Sequence, residues 1–288
     1  MSLLHENEIK RGKGKRIYFA IMVFLVLALP VQLLPHAWMF FSMFKSPIEV
    51  FQFPPDLLPD QFLWTNITET FQKFDLWGNI RNTFVICAGV ILVQVTISSL
   101  AAFSLSKLRL KGANILLMFF VGTMMISNQA TVIPTYLMMF DFPLLHINLI
   151  DSPWSVILAF SAWGWTVFLF KNFFDTLPDA LIEAARIDGA SNLTIFLRIV
   201  FPLSLPVFSI AILNTFNAVY SQFMVPLMLL PSQNQWPLMV RIYAATQSAV
   251  PWNQVMVMLT TASLPLILVY ILCQKNIVQG IAMTGLKG

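Results

Sequence analysis

Residues 83–106 read TFVICAGVILVQVTISSLAAFSLS, with no charged side chain in the run. A helix needs about 20 apolar residues to cross a bilayer core, so this stretch is a candidate span. Backbone polar groups in lipid must be satisfied within the segment, which makes helix the default. A membrane β-barrel would show short alternating strands instead. Five further apolar stretches accompany it, at about 17–38, 113–138, 153–172, 203–229 and 254–274. The expected fold class is all-α: a polytopic membrane protein with six transmembrane helices.

The composition agrees. Of 288 residues, 58% are hydrophobic and 10% charged, and the mean hydropathy is +0.76. A soluble domain is nearer half apolar and a quarter charged. The N-terminus has the basic run and apolar core of a signal sequence. The apolar run is too long, however, and no small-residue cleavage site follows it, so it reads as a retained first span. Residues 1–16 form a basic tail and 17–288 a single membrane domain. Cys87 and Cys273 both fall inside spans. They suit core packing and form neither a disulfide framework nor a metal site.

Lysine and arginine set the orientation. With the N-terminus inside, the inner segments hold Lys10, Arg11, Lys13, Lys15, Arg16, Lys107, Arg109, Lys111, Lys171, Arg186, Arg198, Lys275 and Lys287, thirteen residues. The outer segments hold four: Lys45, Lys73, Arg81 and Arg241. An even number of spans then places both termini in the cytoplasm. The net charge of +4 reflects this topology. It is no nucleic-acid footprint, because the basic residues do not gather on one soluble face.

Two long outer segments follow from this topology. In residues 39–82, Pro54, Pro55 and Pro59 interrupt regular structure. Thr65 and Asn66 are expected to cap a short amphipathic helix running through Phe71 and Phe74. Trp64 and Trp77 suit the headgroup level. Interfacial packing and contact with an outer partner both explain the segment. In residues 230–253, Gln233, Asn234, Trp236 and Tyr243 can bond or stack on a sugar, or pack as a lid.

Two spans carry polar faces. Pro134 should kink the third, where Asn128, Thr131 and Thr135 share one helix face. The fifth presents Asn214, Asn217 and Ser221, with Tyr220 beside them. Polar faces in a membrane turn to another helix or to a water-filled cavity. These seven residues are candidates for a translocation path.

Several chemistries are missing. No Asp, Glu, Lys or Arg stands in the middle of a predicted span, where ion-coupled carriers place them. His5, His36 and His146 are scattered and suggest no metal site. No G-x-x-x-x-G-K-[ST] loop is present to hold ATP, and no catalytic constellation stands out. The chain is expected to bind no cofactor and to be no enzyme by itself. Energy for uphill transport would come from a separate subunit acting on a cytoplasmic surface.

Residues 183–206, EAARIDGASNLTIFLRIVFPLSLP, supply such a surface between the fourth and fifth spans. Pro178 suits a first helical turn. Asp179 and Glu183 suit the positive end of the helix dipole. Ala184 and Ala185 leave room for close approach. Gly189 allows a turn, and Ser191 can cap a second short helix through Phe196 and Arg198. Pro202 and Pro206 mark entry to the next span. On physical grounds alone, this helix–turn–helix serves equally as a docking surface or as a plain interfacial helix pair.

Glu183, Ala184, Ala185, Gly189, Ile199 and Pro202 resemble the E-A-A-x3-G-x9-I-x-L-P motif of ABC importer permeases. Phe201 stands where that family usually has Leu. The longer spelling EAARIDGAS is similar to the carbohydrate branch. So are the opening of the first outer loop, FPPDLLPDQFLWTN, and the chain's ending, QKNIVQGIAMTGLKG, with Gly280, Gly285, Lys287 and Gly288. The resemblance covers nearly the whole chain and is closest to the six-span second permease subunit of maltose-type systems. Where relatives often have Trp-Asn before Phe and Pro, this chain has Tyr220-Ser221-Gln222-Phe223.

The resemblance implies a subunit of an ATP-driven carbohydrate importer in a bacterial or archaeal cytoplasmic membrane. Its partners would be a homologous permease, two ATPase subunits carrying ATP and Mg, and a solute-binding protein. Within residues 175–202, Glu183, Ala184, Ala185, Arg186, Asp188 and Gly189 would couple to an ATPase, and the loop at 230–253, with Gln233, Asn234, Trp236 and Tyr243, would reach toward the binding protein. A permease for polyamine, phosphate or amino acid, and a channel or ion-coupled carrier, are the alternatives.

Overall fold

The computed structural model describes residues 13–108, 110–143 and 145–285; for Lys13, Asn128 and residues 275–285 it describes the backbone alone. Lys10, Arg11, Arg109, Lys287 and Gly288 lie outside the described residues. Among those described, the chain is helical, and its only β contact is an isolated bridge between Phe142 and Ile147.

The first two spans are unbroken. Helix α1 covers Lys13–Ser42, with Pro30 and Pro35 inside it. None of its apolar window is buried by the chain, so its sides are left to lipid or to another subunit. In the outer segment, α2 (Thr65–Lys73) forms where expected, but Thr65 and Asn66 do not cap it. Asn66 turns inward instead, and its side-chain amide donates to the carbonyls of Met43 and Lys45, each at 2.9 Å. Burial among the ends of α1 and α2 outweighs capping for this side chain. Trp64 and Trp77 are exposed.

Helix α3 (Leu76–Lys107) starts about two turns before the predicted span. Asp75 accepts a bond from the Gly78 N–H at its start, and Leu76 and Asn79 are buried beneath the second outer segment. α3 is the central element and packs on several of the helices that follow.

The predicted third span is divided. It forms α4 (Ala113–Thr123) and α5 (Asn128–Phe140), of 11 and 13 residues, each too short to cross alone. The break lies at residues 124–127 and not at Pro134, which α5 accommodates. Thr123 donates to the Phe120 carbonyl at 2.6 Å and Ser127 to Gln129 at 2.5 Å. Such short polar side chains compete with the helical ladder.

The fourth span is bent by 51° between α6 (Pro153–Ala159) and α7 (Gly164–Asp175). After α8 (Asp179–Ile187) comes α9 (Asn192–Leu203), set at 83° to α10 (Leu205–Tyr220). α9 runs past the expected end at Arg198 through a widened turn at Phe196–Val200, where the Phe201 N–H reaches the Phe196 carbonyl. Pro202 offers no N–H to the regular ladder just beyond. The fifth predicted span also ends early, at Tyr220, with α11 (Met224–Leu229) as a separate piece. α12 (Leu238–Thr246) lies in the second outer segment and α13 (Trp252–Gly285) is the last described helix.

Two apolar cores stack along α3. At the end bearing Lys107 and Arg186, hereafter the basic end, Phe103, Phe170, Phe174, Ile182, Ile195 and Phe196 pack together. Toward the other end, Ile86, Val90, Met139, Val156, Phe216 and Leu229 do so.

Candidate functional site

Three helix breaks converge on one cavity of about 680 Å3, beside Gln94 near the midpoint of α3. Thr123, Met124, Ile126 and Ser127 come from the break between α4 and α5, and Phe160, Ala162 and Trp163 from that between α6 and α7. Gln222 comes from the break after α10, and Gln129, Thr131 and Thr135 from α5. Irregular backbone at membrane depth is tolerated where it lines a cavity or is buried in protein. Broken spans also mark substrate sites in transporters.

The lining is uncharged and mixed among the described residues: Gln, Thr and Ser side chains and two indoles stand among apolar groups such as Met124, Ile126, Phe160 and Val225. Trp163 and Trp165 lie 6.1 Å apart between ring centres. Gln94, only 1% exposed, donates 3.0 Å to Thr166 Oγ1 across α3 and α7. These groups donate and accept hydrogen bonds and offer aromatic faces, which suits a polyhydroxylated solute.

Of the predicted path residues, Thr131 and Thr135 line the cavity. Asn128 begins α5, but its side chain lies outside the described residues. Asn214, Asn217 and Ser221 are exposed and do not line it. Tyr220 is buried, and its hydroxyl donates to the Ala262 carbonyl at 2.6 Å, joining α10 to α13. The helix stops at this Tyr, and Gln222, just beyond the end, lines the cavity instead. Sequence reasoning also missed Gln94, Gln129, Trp163 and Trp165. The S-A-W-G-W run at 161–165 was the available signal, a small-residue interruption between two indoles.

In the second outer segment, Arg241 lies 4.7 Å over the Trp236 ring and donates to Asn79 Oδ1 and Gln233 Oε1, each at 3.3 Å. Burial lowers the Arg241 pKa and the nearby Asp75 charge raises it in part. Trp236 also donates to the Leu230 carbonyl at 2.8 Å, and Tyr243 stacks on Phe223 at 4.5 Å. Both rings are thus committed to the chain's own packing. Gln233 and Asn234 remain exposed.

The loop at the basic end takes the helix–turn–helix form. Gly189 has φ of 79°, a conformation glycine adopts without penalty. The Gly189 N–H donates to the Arg186 carbonyl and the Ala190 N–H to the Ala185 carbonyl, each at 3.0 Å. This pair of bonds closes the end of α8 as a Schellman motif. Ser191 Oγ accepts from the Thr194 N–H at 3.2 Å and starts α9. Ile182 is buried and Ala185 packs on the core. Glu183, Ala184 and Asp188 are exposed. Arg186 reaches back, donating from Nη2 to the Lys107 carbonyl at 3.2 Å. Ile187 is 86% exposed and Leu193 60%, an apolar tip at the loop's turn.

A broken-helix cavity inside an all-helical, multi-span chain, with a capped loop at one end, defines a membrane permease. The chain belongs to the family of binding-protein-dependent transport system inner membrane components, whose profile matches residues 94–283. It is 30% identical over 288 residues to the sn-glycerol-3-phosphate transport system permease protein UgpE of Pectobacterium atrosepticum, covering 95% of this chain and 98% of the relative. It is 26% identical over 295 residues to the "Probable ABC transporter permease protein YurM" of Bacillus subtilis, covering 98% and 93%. The fold matches a chain in the crystal structure of a bacterial ABC transporter involved in the import of the acidic polysaccharide alginate. There the TM-score is 0.79 and the identity 22%, over 93% of this chain and 99% of that one. The E-A-A resemblance therefore holds: this is a multi-pass transport permease subunit.

Proposed function

We propose that the chain is one of two homologous permease subunits of an ATP-driven importer for a carbohydrate, an oligosaccharide in the first instance. A solute-binding protein delivers the sugar from outside. Two ATPase subunits bind ATP and Mg below, and the loop at 178–198 seats in a groove of one of them. Glu183 makes a polar contact there, Ala184 and Ala185 allow close seating, and Gly189 sets the turn. ATP favours one state of the assembly through its differential affinity, which moves the path between inward-open and outward-open. In this reading both termini lie in the cytoplasm of a bacterial or archaeal cell, and the chain itself holds no cofactor.

The observation that carries the coupling role is the exposed apolar tip, Ile187 and Leu193, on a rigidly capped hairpin at the basic end. Exposed apolar side chains on a rigid turn offer a partner a contact to bury. The carbohydrate reading draws on the uncharged Gln, Thr and Trp lining. A second reading, a phosphorylated polyol, draws on the printed function of the UgpE relative. The described lining holds no Lys or Arg to offset a phosphate, and burying an uncompensated charge is costly, so the neutral solute is favoured.

The test is ATP-dependent uptake by liposomes containing the chain and its co-purified partners, across neutral oligosaccharides, sn-glycerol-3-phosphate and acidic saccharides. ATP-driven uptake of a neutral saccharide supports the proposal. Preference for the phosphorylated solute replaces the substrate class, and flux without ATP points to a channel or carrier.

A further inference from the structure

Lys107 is the last residue of α3, and its side chain is only 4% exposed although it lies at a loop end of the bundle. A lysine is rarely buried unless paired. Its ammonium donates to the Leu177 carbonyl at 2.8 Å and to Asp179 Oδ1 at 2.6 Å. Leu177 lies just before α8 and Asp179 is the first residue of that helix. The Lys107 carbonyl accepts from Arg186, in the last turn of the same helix. One residue of α3 therefore holds α8 at both ends, the first through its side chain and the second through its backbone.

The neighbouring bonds tie in α7. Ser106 donates to Asp175 Oδ1 at 2.6 Å, and Lys171 reaches the other oxygen of the same carboxylate at 2.6 Å. Ile182, on the inner side of α8, packs into the core with Phe103, Phe170 and Phe174. The nine residues of α8 span about 13 Å, and the helix lies across the ends of α3 and α7 with polar fasteners around an apolar seat. Residues 176–178 connect α7 to α8, and the Lys107 bond to the Leu177 carbonyl falls on this connection.

We propose that Lys107 is a positioning residue for energy coupling. It makes the docking helix α8 one rigid body with α3, the helix whose midpoint carries Gln94 at the cavity. Movement imposed on the Ile187 tip then reaches the cavity wall without being lost at the Thr176–Pro178 connection. The inference rests on the proposed seating of this loop in an ATPase, and goes beyond it in naming the joint that passes the movement on.

The experiment is the ratio of ATP hydrolysed to solute moved by the complete reconstituted transporter. Lys107→Met keeps the buried stem and removes the donor, so the ratio should rise about tenfold while the complex stays assembled. Lys107→Arg can serve both acceptors and should hold the ratio within about twofold of wild type. An assembled Lys107→Met transporter with the wild-type ratio overturns the proposal. If that variant does not accumulate, Asp179→Asn weakens the first fastener from an exposed position and should raise the ratio several-fold; an unchanged ratio there also overturns it. A wild-type complex that moves solute without ATP would overturn the coupling reading itself, and this inference with it.

Discussion

Gly164 meets the Phe120 carbonyl so closely that a Cβ placed on it would stand 2.0 Å from that oxygen. The contact joins the first residue of α7 to α4, at the bend beside Trp163 and Thr123 of the cavity wall. Gly89 on α3 is also crowded, with the Ile157 Cδ1 atom 2.5 Å from a built Cβ. The obstacle differs: a backbone oxygen at Gly164, the end of a flexible side chain at Gly89. Gly164→Ala should therefore destabilise the purified protein by about 3 kcal/mol, the upper end for overpacking, and Gly89→Ala by about 1 kcal/mol. Thermal unfolding in detergent reads the difference, and equal shifts would show that the α4–α7 contact yields easily.

The Gln94–Thr166 bond predicts that a second substitution rescues the first. Both residues are buried and the amide finds its acceptor at 3.0 Å. Thr166→Val leaves the Gln94 amide without that acceptor and should cost about 1–3 kcal/mol. Adding Gln94→Leu removes the stranded donor and should recover most of the loss, a coupling that a double-mutant cycle on thermal stability measures. Additive losses would mean that the cavity's water already satisfies the amide.

The difference between what could and could not be read from the chain follows from the range of the forces involved. The run at 83–106 became one helix because apolar side chains and an unbroken backbone ladder are local requirements. The turn at Gly189 and the cap at Ser191 were legible for the same reason. The break after Thr123 was not, because Met124, Met125 and Ile126 are as apolar as any span and hydropathy cannot distinguish a broken helix from a whole one. Taking α10 to continue past Tyr220 placed Ser221 on a polar face, whereas the helix ends there and Gln222 is the residue that meets the cavity. Lys107 counted only as one positive charge among thirteen, since its partners Leu177 and Asp179 lie some seventy residues away in the chain.

Tyr220 provides a test of path against packing. Its hydroxyl joins α10 to the Ala262 carbonyl of α13 in a buried setting. Tyr220→Phe should lower stability by about 0.5–1.5 kcal/mol, the net worth of one hydrogen bond, and leave the KM for uptake unchanged. A raised KM at unchanged thermal stability would put the hydroxyl on the solute's route and require α10 to rotate during transport.

At the docking loop, backbone conformation and surface chemistry separate cleanly. Nothing lies within 4 Å of a Cβ built on Gly189, so only its φ of +79° resists substitution. Gly189→Ala should cost about 1–2 kcal/mol locally, and Gly189→Asn less, since Asn tolerates the left-handed region. Gly189→Pro removes the N–H that closes α8 on Arg186 and forbids the positive φ, so it should abolish coupled uptake while the protein remains in the membrane. Ile187→Asp leaves the turn intact and alters only the exposed tip. It should reduce co-purification of the ATPase at least tenfold, in line with losing a buried apolar contact at an interface. Glu183→Arg should uncouple uptake in the same way. If Ile187→Asp retained the ATPase fully while Gly189→Pro lost it, the turn's geometry and not its apolar tip would be what the ATPase recognises.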